Sequence, residues 1–137
     1  VSLDLAAFLR ARLDEDEQTA RAASEYASET WRVDPDGETL LLWDPMPETP
    51  GMGHTISRRI TPHIARHDPA RVLAEVVAKR QVAKLHFRRR AHGWDEPGVI
   101  GFECAQCCDR YPCQTLRLHA LPFSGHADYR PEWAPDA

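Results

Sequence analysis

Nowhere in this 137-residue chain is there an apolar run approaching the ~20 residues that a membrane-crossing helix needs. The N-terminus lacks a basic segment followed by an apolar stretch, so no secretory signal is expected and a cytoplasmic location is. No phosphate-binding glycine loop, Gly-x-Ser-x-Gly elbow or dinucleotide glycine pattern is present. Carboxylates are plentiful but scattered, so no paired acid/base site can be named, and the expectation is a protein that is not an enzyme. Internal repeats and low-complexity segments are absent too. Lysine occurs only twice, against fifteen arginines.

What is present suits one compact domain. Hydrophobic residues make up 42% and charged residues 28%, the balance of an ordinary globular protein. A chain of this length can bury a core without disulfides. The net charge of −4 argues against a general polyanion binder. That charge is segregated, however. Residues 1–57 carry 4 basic and 12 acidic groups, residues 58–92 carry 10 and 2, and residues 93–137 carry 3 and 7. One reading is mutual neutralisation of an acidic N-terminal helix by a basic central one. The other is a basic face for nucleic acid, using Arg80, Lys84, Arg88, Arg89 and Arg90. Arg88, Arg89 and Arg90, placed at a helix end, would also complement the helix dipole without any ligand.

Periodicity predicts the elements. Leu5, Phe8, Leu9, Leu13, Ala20, Ala23, Tyr26 and Ala27 recur at the 3.6 period, so residues 3–28 read as a helix. Trp31 and Val33, the turn Asp34-Pro35-Asp36-Gly37 and the run Thr39 to Trp43 read as a β-hairpin over 30–43. Residues 44–53 read as a loop and 54–57 as a short strand. Thr61-Pro62 and Asp68-Pro69 each place a capping residue before a helix-starting proline. The second opens the main helix, expected over 69–91. Val72, Leu73, Val76, Val77, Ala83 and Phe87 share its main apolar face, with Val82 and Leu85 opposite. A helix apolar on two sides is central or self-associating, so a homodimer through 69–91 is expected. Ile100, Phe102 and Cys104 alternate as a strand, and Thr115 to Leu121 reads as a short helix. Tyr129 and Trp133 should dock on the body. The fold class is therefore α+β: two long helices packed on a small antiparallel hairpin or sheet. Residues 1–92 form the body and residues 93–137 a cysteine-containing arm.

All four cysteines fall within ten residues, as Cys104-x2-Cys107-Cys108-x4-Cys113. Without a secretory signal a disulfide framework is not expected. Cys-x2-Cys is the turn that points two thiolates at one tetrahedral ion, and Cys113 can close a third corner. His86, at the end of the main helix, is the chosen fourth ligand, with His92 or Cys108 as substitutes. The expected ion is a structural zinc. His63 and His67 lie four residues apart and could share a helix face, but Ile64 stands where a metalloprotease would carry its glutamate. A capping or wedging role for that pair is preferred to a hydrolytic one.

The stretches Asp4 to Glu17, His63 to Leu73 and Asp128 to Trp133 resemble an uncharacterised family of short proteins from Streptomyces, other actinobacteria and their phages. The layout of N-terminal helix, Trp-containing hairpin and Asp-Pro-led helix is also distantly similar to Ea22-like phage proteins. The uncharacterised family has no established activity, so the resemblance to it implies membership and no function. The leading expectation is a small non-enzymatic accessory or regulatory protein acting through protein contacts, with a nucleic-acid-binding module and a metal-dependent hydrolase as the alternatives.

Overall fold

A computed structural model of the chain describes residues 4–43, 53–92 and 98–137. Helix α1 spans Leu5–Tyr26 and α3 spans Pro69–Leu85, with the short α2 (Thr61–Arg66) between them in sequence and α4 (Gln114–Ala120) near the C-terminus. Strands β1 (Arg32–Val33), β2 (Thr39–Leu41) and β3 (Gly53–Thr55) form an antiparallel sheet in that order. Strands β4 (Arg88–His92) and β5 (Val99–Cys104) form a separate antiparallel ribbon. The fold is α+β, as the periodicities require. The chain divides into two compact units, one of Val1–Asp14 with Ala78–Ala137 and one of Glu15–Val77. The expected loop at 44–53 lies almost wholly outside the described residues.

In the unit of residues 15–77, Leu40 and Leu42 from the sheet side pack with Ala27. Trp31, Trp43, Ile64 and Ala65 close over them. The Asp34–Gly37 turn is held by the Gly37 N–H donating to the Asp34 carbonyl at 2.8 Å, with Gly37 at φ +77°, a conformation that suits glycine. Asp36 accepts from the backbone N–H groups of Glu38 and Thr39 and from the Thr39 hydroxyl. The Thr39 hydroxyl and those two N–H groups hold its carboxyl below the usual carboxylate range. Thr61 is not the α2 cap expected of it. Ile60 occupies that position, and the fully buried Thr61 hydroxyl instead donates to the Glu38 carbonyl at 2.6 Å.

Asp68 does cap α3. One carboxylate oxygen accepts from the Arg71 N–H at 2.9 Å and the other from the Trp31 N–H at 3.1 Å. The same side chain thus starts the helix and ties the hairpin entrance to it. Asp68→Ala should destabilise this unit by about 1–2 kcal/mol, while Asp68→Asn should keep most of the capping. Urea denaturation would check both, and equal losses would show that the cap is not what stabilises.

In the unit of residues 1–14 and 78–137, one core cluster draws on every local element. Leu5, Phe8 and Leu9 of α1 meet Cys104, Cys113, Leu116, Ala120 and Trp133. Ala83, Tyr111, Phe123 and Tyr129 pack against them, so the tail rings dock as expected. Phe8 is the hub, with ring centroids 5.0 Å from Trp133, 6.0 Å from Tyr129 and 6.4 Å from Phe123. Asp136 is held back on α4 by Arg117, at 3.0 and 2.6 Å, and by Gln114, whose side-chain amide pairs with the Asp136 backbone N–H and carbonyl.

The main helix is shorter than its sequence suggests. It ends at Leu85, with the His86 N–H reaching the Val82 carbonyl, and Arg88, Arg89 and Arg90 are strand residues rather than a helix end. Arginine favours helix by itself, but here pairing with β5 overrides that weak local preference. The register sets Arg88 opposite Cys104, Arg89 opposite Glu103 and Arg90 opposite Phe102. The helix-dipole role expected for these arginines therefore does not apply. Phe87 falls outside the helix and is 57% exposed, and Val77 is also exposed, so neither contributes to the expected apolar face as Val76 does.

Candidate metal centre

Three structural features bring four potential ligands together. The end of α3 leaves His86 at the mouth of the ribbon. Strand β5 delivers Cys104 as its last residue, and the turn that follows carries Cys107. That turn is closed by the Cys108 N–H donating to the Cys104 carbonyl at 3.0 Å and the Cys104 N–H donating to the Asp109 carbonyl at 2.8 Å. The Ala105 N–H also donates to the Phe87 carbonyl at 2.9 Å, which fastens the turn to the residue after His86. Cys113 arrives immediately before α4, at its N-cap position.

Ligand atoms of His86, Cys104, Cys107 and Cys113 all lie within 4.8 Å of one another. His86 Nδ1 is 3.3 Å from Cys104 Sγ, 3.5 Å from Cys113 Sγ and 4.0 Å from Cys107 Sγ. A single Nδ1 carries one proton or one lone pair, so it cannot hydrogen-bond three sulfurs at once. Bonds of ~2.3 Å to sulfur and ~2.0 Å to nitrogen in a tetrahedron place nitrogen and sulfur about 3.5 Å apart. The observed spacings bracket that value, and the residues fit a metal ion. The structure thus assembles the three cysteines and the histidine chosen from sequence.

The electrostatics of the cluster agree. Burial pushes the Cys104 thiol up, but backbone N–H groups of Cys107 and Gln106, then the Cys107 and His86 side chains, outweigh it and bring it down to about 7. Desolvation pushes Cys107 up to about 12 against an N–H from Asp109, and the adjoining Cys104 and Cys113 sulfurs push the same way. The first thiolate therefore forms readily and the next is opposed by it. A cation between them would offset that opposition and favour both thiolates.

Neither substitute ligand belongs to the cluster. His92 lies at the far end of β4, with its Nδ1 3.3 Å from the Gly98 carbonyl. Cys108 takes a left-handed backbone (φ 59°) and is exposed, with its sulfur 3.2 Å from Arg89 Nη2. His63 and His67 stack at 4.5 Å between ring centroids, and both are exposed. His67 Nδ1–H donates to the His63 carbonyl at 2.8 Å, a bond at the C-terminal end of α2. Among the described residues no third metal-ligating group joins that pair.

The cationic residues separate into two sets. Arg80 is ion-paired with Asp14, and Arg89 is paired with Glu103 at 2.7 Å. The Arg80 pair is one instance of the mutual neutralisation expected between the two long helices. Arg88 instead lies over the Phe102 ring, 4.4 Å from its centroid. Lys84 and Arg90 are exposed. Sequence reading missed the Arg88–Phe102 contact because it placed Arg88 on a helix. It also missed the buried Arg12, which lies over Phe8 and against His126. The drift of Arg12 onto the apolar face of α1 was the available signal for it.

The fold and cluster define a small α+β protein with a Cys3His centre compatible with a metal ion, and no helix among the described residues is long and apolar enough to cross a membrane. The chain belongs to a family of unknown function, DUF6221, whose model matches residues 2–135. No curated protein and no solved structure matches it.

Proposed function

We propose that this is a small non-enzymatic accessory or regulatory protein that acts through protein contacts and is built around one structural zinc ion held by His86, Cys104, Cys107 and Cys113. The observation that carries this reading is the placement of His86 Nδ1 at 3.3–4.0 Å from all three sulfurs. Thiolate and imidazole ligands in a tetrahedral set suit zinc. Four protein ligands close the coordination shell, whereas a catalytic zinc keeps a position open for water or substrate. Two of the sulfurs, Cys104 and Cys113, are also core residues, which supports a structural role.

Metal analysis of the purified protein should find about one zinc per chain. Cobalt in its place should give the intense thiolate bands of a four-coordinate site, unchanged by added anions. Bands that shift with azide would reveal an open position and favour the hydrolase alternative. Leu85 on α3, 56% exposed, supports the self-association expected through residues 69–91. Light scattering at tens of micromolar should then give a dimeric mass, and a monomeric mass would overturn that part.

A further inference from the structure

We propose that the surface formed by Arg10, Lys84, Phe87, Arg88, Arg90 and Phe102 binds single-stranded nucleic acid. This goes beyond the protein-contact reading above and takes up the nucleic-acid alternative; it shares with that reading only the folded, zinc-loaded unit. All six residues belong to the unit that contains the metal centre. Arg10, Lys84, Phe87 and Arg88 line a groove of about 600 Å³ whose floor includes Leu9, Leu13 and Ala83. The ribbon register puts Arg88, Arg90 and Phe102 on one face, because Arg90 stands opposite Phe102 and Arg88 opposite Cys104. At Cys104 that face is buried in the core, and beyond it the same face is open to solvent. Arg88 joins the two areas, since it lines the groove and lies over the Phe102 ring.

Charge and planarity together select the occupant. Among the described residues, Arg10, Lys84, Arg88 and Arg90 form no ion pair, in contrast to Arg80 and Arg89. The groove is also lined by two carboxylates: Asp14, which is paired with Arg80, and Asp4, which accepts from the Ala7 N–H at 2.8 Å and so serves the start of α1. Arg88 and Arg90 are two residues apart on an extended strand, so their anchors are about 7 Å apart along it. Phe87 and Phe102 are 57% and 46% exposed, so this surface offers two large rings beside its cations. An acidic peptide would satisfy the cations but has nothing planar to set against the rings. Unpaired bases stack on aromatic rings and on guanidinium planes, while their phosphates meet the cations. A duplex keeps its base faces covered, so the single strand is the better fit. The net charge of −4 does not oppose this, because the unit of residues 1–14 and 78–137 carries 11 basic and 9 acidic groups, and the acidic excess lies in residues 15–77.

Fluorescence anisotropy of labelled (dT)20 with the full zinc-loaded chain, from 50 to 200 mM NaCl, tests the assignment. Affinity should fall steeply with salt. Arg88→Ala and Arg90→Ala should each reduce the slope of log K against log salt by about 0.7. Phe102→Ala and Phe102→Leu should both weaken binding at least about fivefold at every salt concentration with the slope unchanged, whereas Phe102→Tyr should retain it. Arg89→Ala, which removes a cation already held by Glu103, should leave the slope near that of the unaltered chain. No binding, or binding equally displaced by poly-glutamate and insensitive to Phe102→Leu, would overturn the proposal, the latter in favour of an acidic protein partner. Zinc content, measured on every sample, reports separately on the metal centre. A zinc-replete chain that ignores (dT)20 refutes this inference alone, and a chain without zinc refutes the structural reading.

Discussion

Cys107→Ser should abolish stoichiometric zinc binding and cost the unit of residues 1–14 and 78–137 its cooperative unfolding transition. Cys107 is the informative position because it is exposed, so serine there removes a ligand without opening a hole in the core. Cys104 and Cys113 are 0% and 1% exposed within the cluster around Phe8, where substitution would confound ligation with packing. A structural zinc in a small isolated site contributes on the order of 10 kcal/mol of binding free energy at neutral pH. That is comparable to the whole stability of a typical domain, about 5–15 kcal/mol. The loss should extend to the first turns of α1, since Leu5, Phe8 and Leu9 share a cluster with Cys104 and Cys113. Cys108→Ser should leave zinc content and stability nearly unchanged, because that sulfur lies outside the ligand set, exposed beside Arg89 Nη2 at 3.2 Å. Metal analysis and amide hydrogen exchange on both variants would settle the point. Retention of zinc in Cys107→Ser, or its loss in Cys108→Ser, would show the ligand set to be misassigned.

Phe8→Ala is expected to destabilise the same unit by about 3–5 kcal/mol, the range for deleting a buried aromatic ring. Phe8 is 1% exposed, and its ring meets Trp133, Tyr129, Phe123 and His126. It also lies beneath the guanidinium of the buried Arg12, 5.2 Å from ring centroid to Cζ. These neighbours come from a tail held in place at several points, so they cannot readily collapse into the space left behind. Denaturation by urea with zinc present would measure the effect, and a shift under about 1 kcal/mol would show the tail to be loosely docked. Zinc content should survive this change, which separates loss of packing from loss of ligation.

How much of this was readable from the chain differs from element to element. The α1 stripe of Leu5, Phe8, Leu9 and Leu13 is a local property of the 3.6-residue repeat, and all four are buried as that repeat requires. The Asp-Pro start of α3 and the Asp34–Gly37 turn are also local, since each depends on side chains bonding to backbone within three residues. The ligand spacing Cys104-x2-Cys107 encodes its own turn, and His86 could be chosen because it precedes the segment that returns to that turn. The choice between His86, His92 and Cys108 was not local, because it turns on which side chain the ribbon directs at the sulfurs.

By itself, then, the sequence determined those features whose cause lies within one turn of chain: the α1 face, the hairpin, the Asp68-Pro69 start of α3 and the paired-cysteine turn. Only the tertiary structure decided the rest. It stopped α3 at Leu85 and made Arg88–His92 a strand, because hydrogen bonds to β5 outweigh the weak helical preference of three arginines. That one change set Arg88 and Arg90 on a common face with Phe102, a relation that Phe102's distance of 12 and 14 residues from them in sequence does not express. It also put Cys104 and Cys113 into the core around Phe8, so that two residues of the Cys3His cluster also pack the core of their unit.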